Sequence, residues 1–162
     1  QGGQVTFDQV FDKLISHEGG YIFNPHDPGG ETKFGISKRS YPHLDIHSLT
    51  LADAKTIYKR DFWYRAQCDK MPPELAFNVF DAAVNSGIGQ AILWLQRSVG
   101  VADDGYVGPL TLGALNREND PSAVQARFNG HRLDFMTRLS TWDVFGKGWA
   151  RRIAANLQSV GK

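Results

Sequence analysis

The chain has 162 residues, of which 41% are hydrophobic and 22% charged, and its formal net charge at pH 7 is +1. This length and balance are those of a folded protein the size of one domain, and they exclude an intrinsically disordered chain. The near-zero charge provides no strong field, and no stretch approaches the roughly 18 apolar residues of a membrane span, so the sequence predicts neither nucleic-acid binding nor stable membrane insertion.

The first predicted element is a helix that begins after Thr6 and ends near His17. Apolar residues recur in it at helical spacing, and Thr6 with Gln9 three residues later is typical of a capping box. A Gly-Gly pair follows Glu18 at once, and a glycine in a helix interior costs about 1 kcal/mol. Glu18 is therefore predicted to lie at the end of the helix.

A small β-ribbon is predicted next, between Tyr21 and Ile36. Short apolar pieces alternate there with Asn-Pro, Asp-Pro and Gly-Gly turn signals, which leave no room for a helix. The pattern predicts two or three strands, with strands at Tyr21–Phe23 and Phe34–Ile36. So little sheet is stable only when it packs on helices.

The rest of the chain is predicted to be helical almost throughout. Helix start signals occur at Thr50 with Asp53, Pro72-Pro73, Ser86-Gly87, Pro109 and Asp120-Pro121. The longest helix is predicted from Pro121 to about Leu139, and the last from about Trp149 to Leu157. The predicted fold class is mainly α (α+β), one helical domain over residues 1–162 with a small β-ribbon near its N-terminus.

Three residues around the ribbon fit the chemistry of glycosidic bond cleavage. This reaction needs a protonated carboxylic acid beside the leaving oxygen, and a second group that holds water or steadies the positive charge at the sugar. Glu18 closes an apolar helix, where partial desolvation favours a protonated carboxyl. Asp27 and Thr32 lie on the ribbon that is predicted to fold back across it, so all three are candidate catalytic residues.

The same residues resemble a known family. Residues 17–21, His-Glu-Gly-Gly-Tyr, and residues 27–36, Asp-Pro-Gly-Gly-Glu-Thr-Lys-Phe-Gly-Ile, are similar to the signature of glycoside hydrolase family 108. The resemblance implies a phage or prophage endolysin with a lysozyme-like helical fold, which cuts between N-acetylmuramic acid and N-acetylglucosamine and uses no cofactor. It places the catalytic glutamate at Glu18.

The spacing is also similar to the Glu, Asp and Thr triad of phage-type lysozymes. Eight residues separate Glu18 from Asp27, as in those enzymes, whereas the interval from Asp27 to Thr32 is one residue shorter than theirs. We expect a water held opposite the acid, and hence inversion at the anomeric carbon.

A second resemblance lies downstream. Residues 80–87 and 103–111 are similar to the peptidoglycan-binding segment of the same family. The predicted organisation is therefore a catalytic region over about 5–70 and a helical peptidoglycan-binding region over about 71–160, within the same fold.

Five further residues are predicted to bind substrate: Tyr21, Glu31, Phe34, Tyr58 and Asn85. Asn85 is chosen because an amide can donate and accept hydrogen bonds with a sugar, although its position also suits a helix cap. Glu31 is the rival of Asp27 as second carboxylate. Tyr58 has the spacing of a core residue, and only an exposed ring could stack on a glycan.

Three alternatives to a muramidase are compatible with parts of the sequence. The histidines at 26, 43 and 47, together with Asp27, suggest a zinc amidase as one alternative. No metal-ligand spacing such as His-Glu-x-x-His occurs, however, so no metal site is predicted. The single cysteine, Cys68, is predicted to be a partly buried thiol. A lytic transglycosylase that gives 1,6-anhydro products, and a wall-binding module without turnover, stay open as alternatives.

The resemblance also implies where the protein works. It implies peptidoglycan glycan strands as the partner, a monomer, synthesis in the cytoplasm of the host bacterium, and action on the wall in the periplasm after holin release, or else secretion. No secretion signal is visible in the sequence.

Overall fold

The computed structural model describes residues 7–15, 20–23, 25 and 30–160. These residues divide into two compact units at Arg65 and Ala66. Within the described residues, no helix is long and apolar enough to cross a membrane.

The described part of the first unit contains two α-helices and a three-stranded sheet. Its elements are α1 (Phe7–Ile15), β1 (Ile22–Phe23), β2 (Glu31–Lys33), β3 (Ile36–Ser37), α2 (Leu51–Tyr58) and a π-helical turn (Lys59–Trp63). The strands are antiparallel in the order β1-β2-β3. The small ribbon near the N-terminus is thus confirmed.

Helix α1 packs through one apolar face, as its spacing predicts. The Phe7 ring meets Trp63 edge-on at 5.6 Å between centroids, and the Phe11 ring lies 6.0 Å from Tyr58. All four rings are buried, and complete burial of a side chain of this size contributes about 1.5–3 kcal/mol. The predicted cap at Thr6 lies outside the described residues, as does the predicted helix end at His17.

The predicted bounds of the strand at Phe34–Ile36 are wrong, because the strand β3 begins only at Ile36. Phe34 (φ 52°) and Gly35 (φ 81°) have left-handed backbones and form the two-residue turn between β2 and β3. Positive φ at both central residues is the geometry of the tight hairpin turn whose twist matches that of its strands. Because phenylalanine favours strands and rarely adopts positive φ, its sequence pattern indicated a strand instead.

Helix α2 begins where the capping box predicts. The backbone N–H of Asp53 donates to Oγ1 of Thr50 at 3.1 Å, and the backbone N–H of Thr50 donates to Oδ2 of Asp53 at 3.1 Å. Two backbone donors at the helix start are thereby satisfied by side chains.

The second unit is helical. Its elements are a 3-10 turn (Cys68–Lys70), α3 (Pro73–Ser86), α4 (Ile88–Val99), α5 (Pro109–Arg117), α6 (Pro121–Thr137) and α7 (Trp142–Gln158). The predicted starts at Pro73, after Gly87, at Pro109 and at Pro121 are confirmed, and Asp120 caps α6 with its side chain. Cys68 is buried.

The last helix begins seven residues earlier than predicted. Helix α7 starts at Trp142, and its first turns include Gly146 and Gly148, residues that are unfavourable in a helix interior. Gly146 is buried under the Trp142 ring, where a Cβ would come 2.4 Å from Cδ2 of that ring. The contact explains why a glycine stands inside this helix.

Candidate active site

The predicted catalytic residues belong to the stretch of sequence from the end of α1 to the middle of β2. Glu18 lies between the last residue of α1 and the first of β1, and Asp27 lies between β1 and β2. Both fall outside the described residues. Thr32 is described, and it occupies the middle of β2, the central strand of the sheet.

The register of the sheet determines which side chains share a face with Thr32. Thr32 pairs with Ile22 on one side and with Ser37 on the other. Directly opposed residues share a face, whereas neighbours along a strand alternate. Thr32 therefore shares its face with Ile22 and Ser37, while Glu31 points to the opposite face, as the alternation predicts.

Glu31 has a partner at the edge of the sheet. The Tyr21 hydroxyl donates to Oε2 of Glu31 at 2.8 Å, and the Tyr21 ring meets the His47 ring edge-on at 4.9 Å. The hydrogen bond to Glu31 is the main reason why the pKa of Tyr21 is raised above its ordinary value. Both of these predicted substrate-binding residues thus come together on the ribbon.

Phe34 and Tyr58 also come together, through the Tyr58 hydroxyl and the backbone of Phe34. The Tyr58 hydroxyl donates to the carbonyl oxygen of Phe34 at 2.5 Å, and the Tyr58 side chain is only 1% exposed. A buried ring offers no face to a glycan, so a direct substrate-binding role for Tyr58 does not fit the structure. Its contact instead holds the β2–β3 turn at the positive φ of Phe34.

Asn85 lies near the end of α3 in the second unit, where a buried ionic network holds its side chain. Nη2 of Arg132 donates to Oδ1 of Asn85 at 3.2 Å, and Nη1 of Arg132 donates to Oδ2 of Asp81 at 2.8 Å. Asp81 also accepts from Arg152 at 2.7 Å and from the amide of Asn156 at 3.1 Å.

The network leaves one part of the Asn85 amide for a ligand. Its oxygen accepts from Arg132, and within the described part of the chain its nitrogen donates no hydrogen bond. An amide held by its oxygen can present both N–H groups to a sugar oxygen. Asn85 is not a helix cap, since α3 continues to Ser86 and is followed by Gly87.

The charges of this network are almost completely buried. The Asp81 and Arg132 side chains are 0% exposed. Burial by itself would raise the pKa of Asp81, but the guanidinium groups of Arg132 and Arg152 outweigh it and hold this pKa at about 2. The carboxylate is therefore charged throughout the neutral range, and it serves as a structural anchor rather than as a proton donor.

Sequence reasoning missed this network, although a signal was present. Arg132 follows Val124 and Phe128 at intervals of four, on the face of α6 that is buried. A charged residue on an apolar helical stripe requires a buried partner. The partner, Asp81, is 51 positions away in the sequence.

A separate surface pocket of about 440 Å³ lies in the first unit. It is lined by Leu44, Asp45, Ser48, Leu49, Asp53, Thr56 and Ile57. Both carboxylates that line it already have hydrogen-bond partners, because Asp45 accepts from Ser48 and Asp53 caps α2. Of the predicted site residues that the structure describes, none lines this pocket.

Comparisons with known proteins agree with the helical fold and divide the chain into two stretches. Residues 11–87 match the family model Glycosyl hydrolase 108, and residues 90–154 match a model described as Predicted Peptidoglycan domain. The solved structure of SagA from Brucella abortus is 30% identical in sequence, with a TM-score of 0.86 over 95% of this chain and 92% of that one. A search of curated proteins found no match.

Proposed function

Because this chain belongs to glycoside hydrolase family 108, we propose that it is an endolysin that hydrolyses the β-1,4 bond between N-acetylmuramic acid and N-acetylglucosamine. Family membership and the downstream peptidoglycan match make it a glycoside hydrolase that acts on peptidoglycan and degrades the cell wall. What we propose beyond this is that the enzyme cuts this particular bond and no other bond of the wall.

In the proposed mechanism Glu18 protonates the leaving glycosidic oxygen. Asp27 acts as the base toward a water on the opposite side of the sugar, and Thr32 orients that water by a hydrogen bond. General rules for glycosidases place inverting carboxyl groups about 6.5–9.5 Å apart and retaining ones about 5–5.5 Å apart. We propose the inverting course.

One observation carries the proposal. The stretch that matches the hydrolase family, residues 11–87, contains Glu18, Asp27 and Thr32 together. The position of Thr32 in the central strand supports its part in the mechanism, because pairing on both sides fixes the face of the sheet on which its side chain lies.

The decisive experiment is mass spectrometry of the products released from purified sacculi. We expect reducing N-acetylmuramic acid ends. Products with 1,6-anhydro ends would make the enzyme a lytic transglycosylase, and free stem peptides would make it an amidase. Nuclear magnetic resonance of the first products reports the anomeric configuration, and a retained configuration would contradict inversion.

Variants assign the proposed roles. Glu18→Gln should lower wall lysis at least about a hundredfold, because general acid catalysis contributes roughly 10² to 10⁴. Asp27→Ala should lower it more than Thr32→Ala, since a carboxylate can accept a proton and a hydroxyl only orients the water. If Glu31→Gln proves the more damaging change, the base is Glu31. Circular dichroism melts must show that each variant is folded.

The wider setting follows from the same proposal. We propose synthesis in the host cytoplasm, action as a monomer on the wall in the periplasm after holin release, and no cofactor. The division at about residue 70 into a catalytic and a peptidoglycan-binding region stays a prediction.

A further inference from the structure

Three aromatic side chains form a cluster on helix α7 of the second unit. Trp142, Phe145 and Trp149 follow one another at intervals of three and four, which places them along one side of a helix. The Trp142 and Trp149 rings lie 6.3 Å apart and the Phe145 and Trp149 rings 5.8 Å apart. Phe145 is 55% exposed, so the cluster reaches the surface.

The cluster is fixed in place before any ligand arrives. The Trp142 ring covers Gly146 so closely that a Cβ at that glycine would lie 2.4 Å from Cδ2 of the ring. Trp149 then packs against both Trp142 and Phe145. Aromatic rings held in one arrangement lose little conformational entropy on binding, which favours affinity.

A second glycine of α7 adds an independent observation. Gly148 is exposed inside the helix, and a Cβ there would meet nothing within 4 Å. Neither crowding nor a left-handed backbone requires this glycine, although a glycine at such a position destabilises a helix by about 0.5–1 kcal/mol relative to alanine. Its site lies one turn after Phe145, where a missing side chain leaves room for a flat ligand against the backbone.

One cation near the open position suits an anionic ligand. Arg151 is exposed one turn after Gly148 on α7, and in the described residues it forms no ion pair. The free carboxylates of the stem peptides of peptidoglycan are negative, whereas the pyranose rings present apolar C–H faces. An aromatic cluster with a cation near the open position therefore matches a peptide-bearing glycan strand in both respects.

We propose that Trp142, Phe145, Gly148 and Trp149, here called the α7 platform, bind a peptidoglycan glycan strand by stacking its pyranose rings on the aromatic side chains. The whole platform lies inside residues 90–154, the stretch that matches the peptidoglycan model. The ligand is taken from the proposed function, but the binding does not depend on which bond the enzyme cuts.

The nature of the ring contact is tested by changing Phe145 in two ways. Phe145→Leu keeps an apolar side chain but removes the aromatic face, and should weaken binding to purified sacculi about tenfold, which corresponds to about 1.4 kcal/mol. Phe145→Tyr keeps the face and should bind like the wild type. Val144→Ala is the control, because Val144 is 75% exposed on the same helix but outside the cluster. Binding is measured by co-sedimentation at 4 °C.

The open position is tested with a matched pair of glycines. Gly148→Gln should weaken binding to sacculi severalfold, because the new side chain occupies the space proposed for the sugar. Gly130→Gln is the control, since Gly130 is likewise exposed inside a helix with nothing within 4 Å of a Cβ. Both variants change the helix in the same way, so only a ligand at α7 separates them.

Several outcomes overturn the proposal. Wild-type binding by both Phe145→Leu and Gly148→Gln would show that the platform does not contact the wall. If the Phe145→Leu and Gly148→Gln variants lose binding to phosphatidylglycerol vesicles that the wild type binds, while their binding to sacculi is unchanged, the α7 platform binds a membrane surface instead. A parallel assay of product release separates the two proposals: binding lost only in the platform variants supports the platform even if the wild type releases no muropeptides.

Discussion

Replacement of Asp81 by asparagine should destabilise the second unit strongly. The substitution preserves the size of the side chain but removes the charge that faces Arg132 and Arg152, at 2.8 Å and 2.7 Å. Removing one partner of a buried ion pair costs about 3–5 kcal/mol, because the other charge stays buried without compensation. We expect a loss of this size in the free energy of unfolding at pH 7.

The pKa of Asp81 provides a second estimate. This pKa is about 2 instead of an ordinary 3.8, and a difference of one in pKa corresponds to about 1.36 kcal/mol, so ionisation contributes on the order of 2–3 kcal/mol. Since the folded pKa lies below the unfolded one, this stability is complete above about pH 5 and is lost as the pH falls through about 4 toward 2.

The assay is urea unfolding of the wild type and Asp81→Asn between pH 7 and pH 3, followed by circular dichroism. The difference between the two proteins should be constant at neutral pH and shrink below about pH 4, because only the wild type can be protonated at this position. Asp103→Asn is the matched control, since Asp103 also lies 2.8 Å from an arginine but both side chains are nearly half exposed. Its effect should stay below about 1 kcal/mol. Equal effects of the two variants, or a difference that ignores pH, would refute the argument.

Three further predictions concern the site. Tyr58→Phe should lower the free energy of unfolding by about 1 kcal/mol, as measured with urea, because the Phe34 carbonyl loses its donor. Asn85→Ala should lower wall lysis about tenfold, roughly the effect of one lost hydrogen bond to substrate, and should also lower the free energy of unfolding by about 1–3 kcal/mol because Nη2 of Arg132 loses an acceptor; a normal rate of lysis would show that Asn85 does not bind substrate. Lysis should be unaffected by EDTA, because the proposed acid and base need no metal, and restoration of a lost activity by zinc would contradict the mechanism.

Local chemistry made much of the helical fold predictable from the sequence. The capping pair of Thr50 and Asp53 and the start of α6 at Asp120 depend on groups three residues apart, and such contacts form wherever the chain turns into a helix. The family signature around Glu18 is likewise contiguous, so the class of chemistry could be inferred from residues alone.

Tertiary contacts decided the remaining features, because their energies depend on surroundings that a linear pattern does not contain. The positive φ of Phe34 accompanies a hydrogen bond from Tyr58, which lies 24 positions away. Arg132 tolerates complete burial because Asp81, 51 positions away, compensates its charge, and the same pair orients Asn85. Periodicity placed Arg132 on its helix, but only the folded unit supplied the partner that makes a buried charge stable.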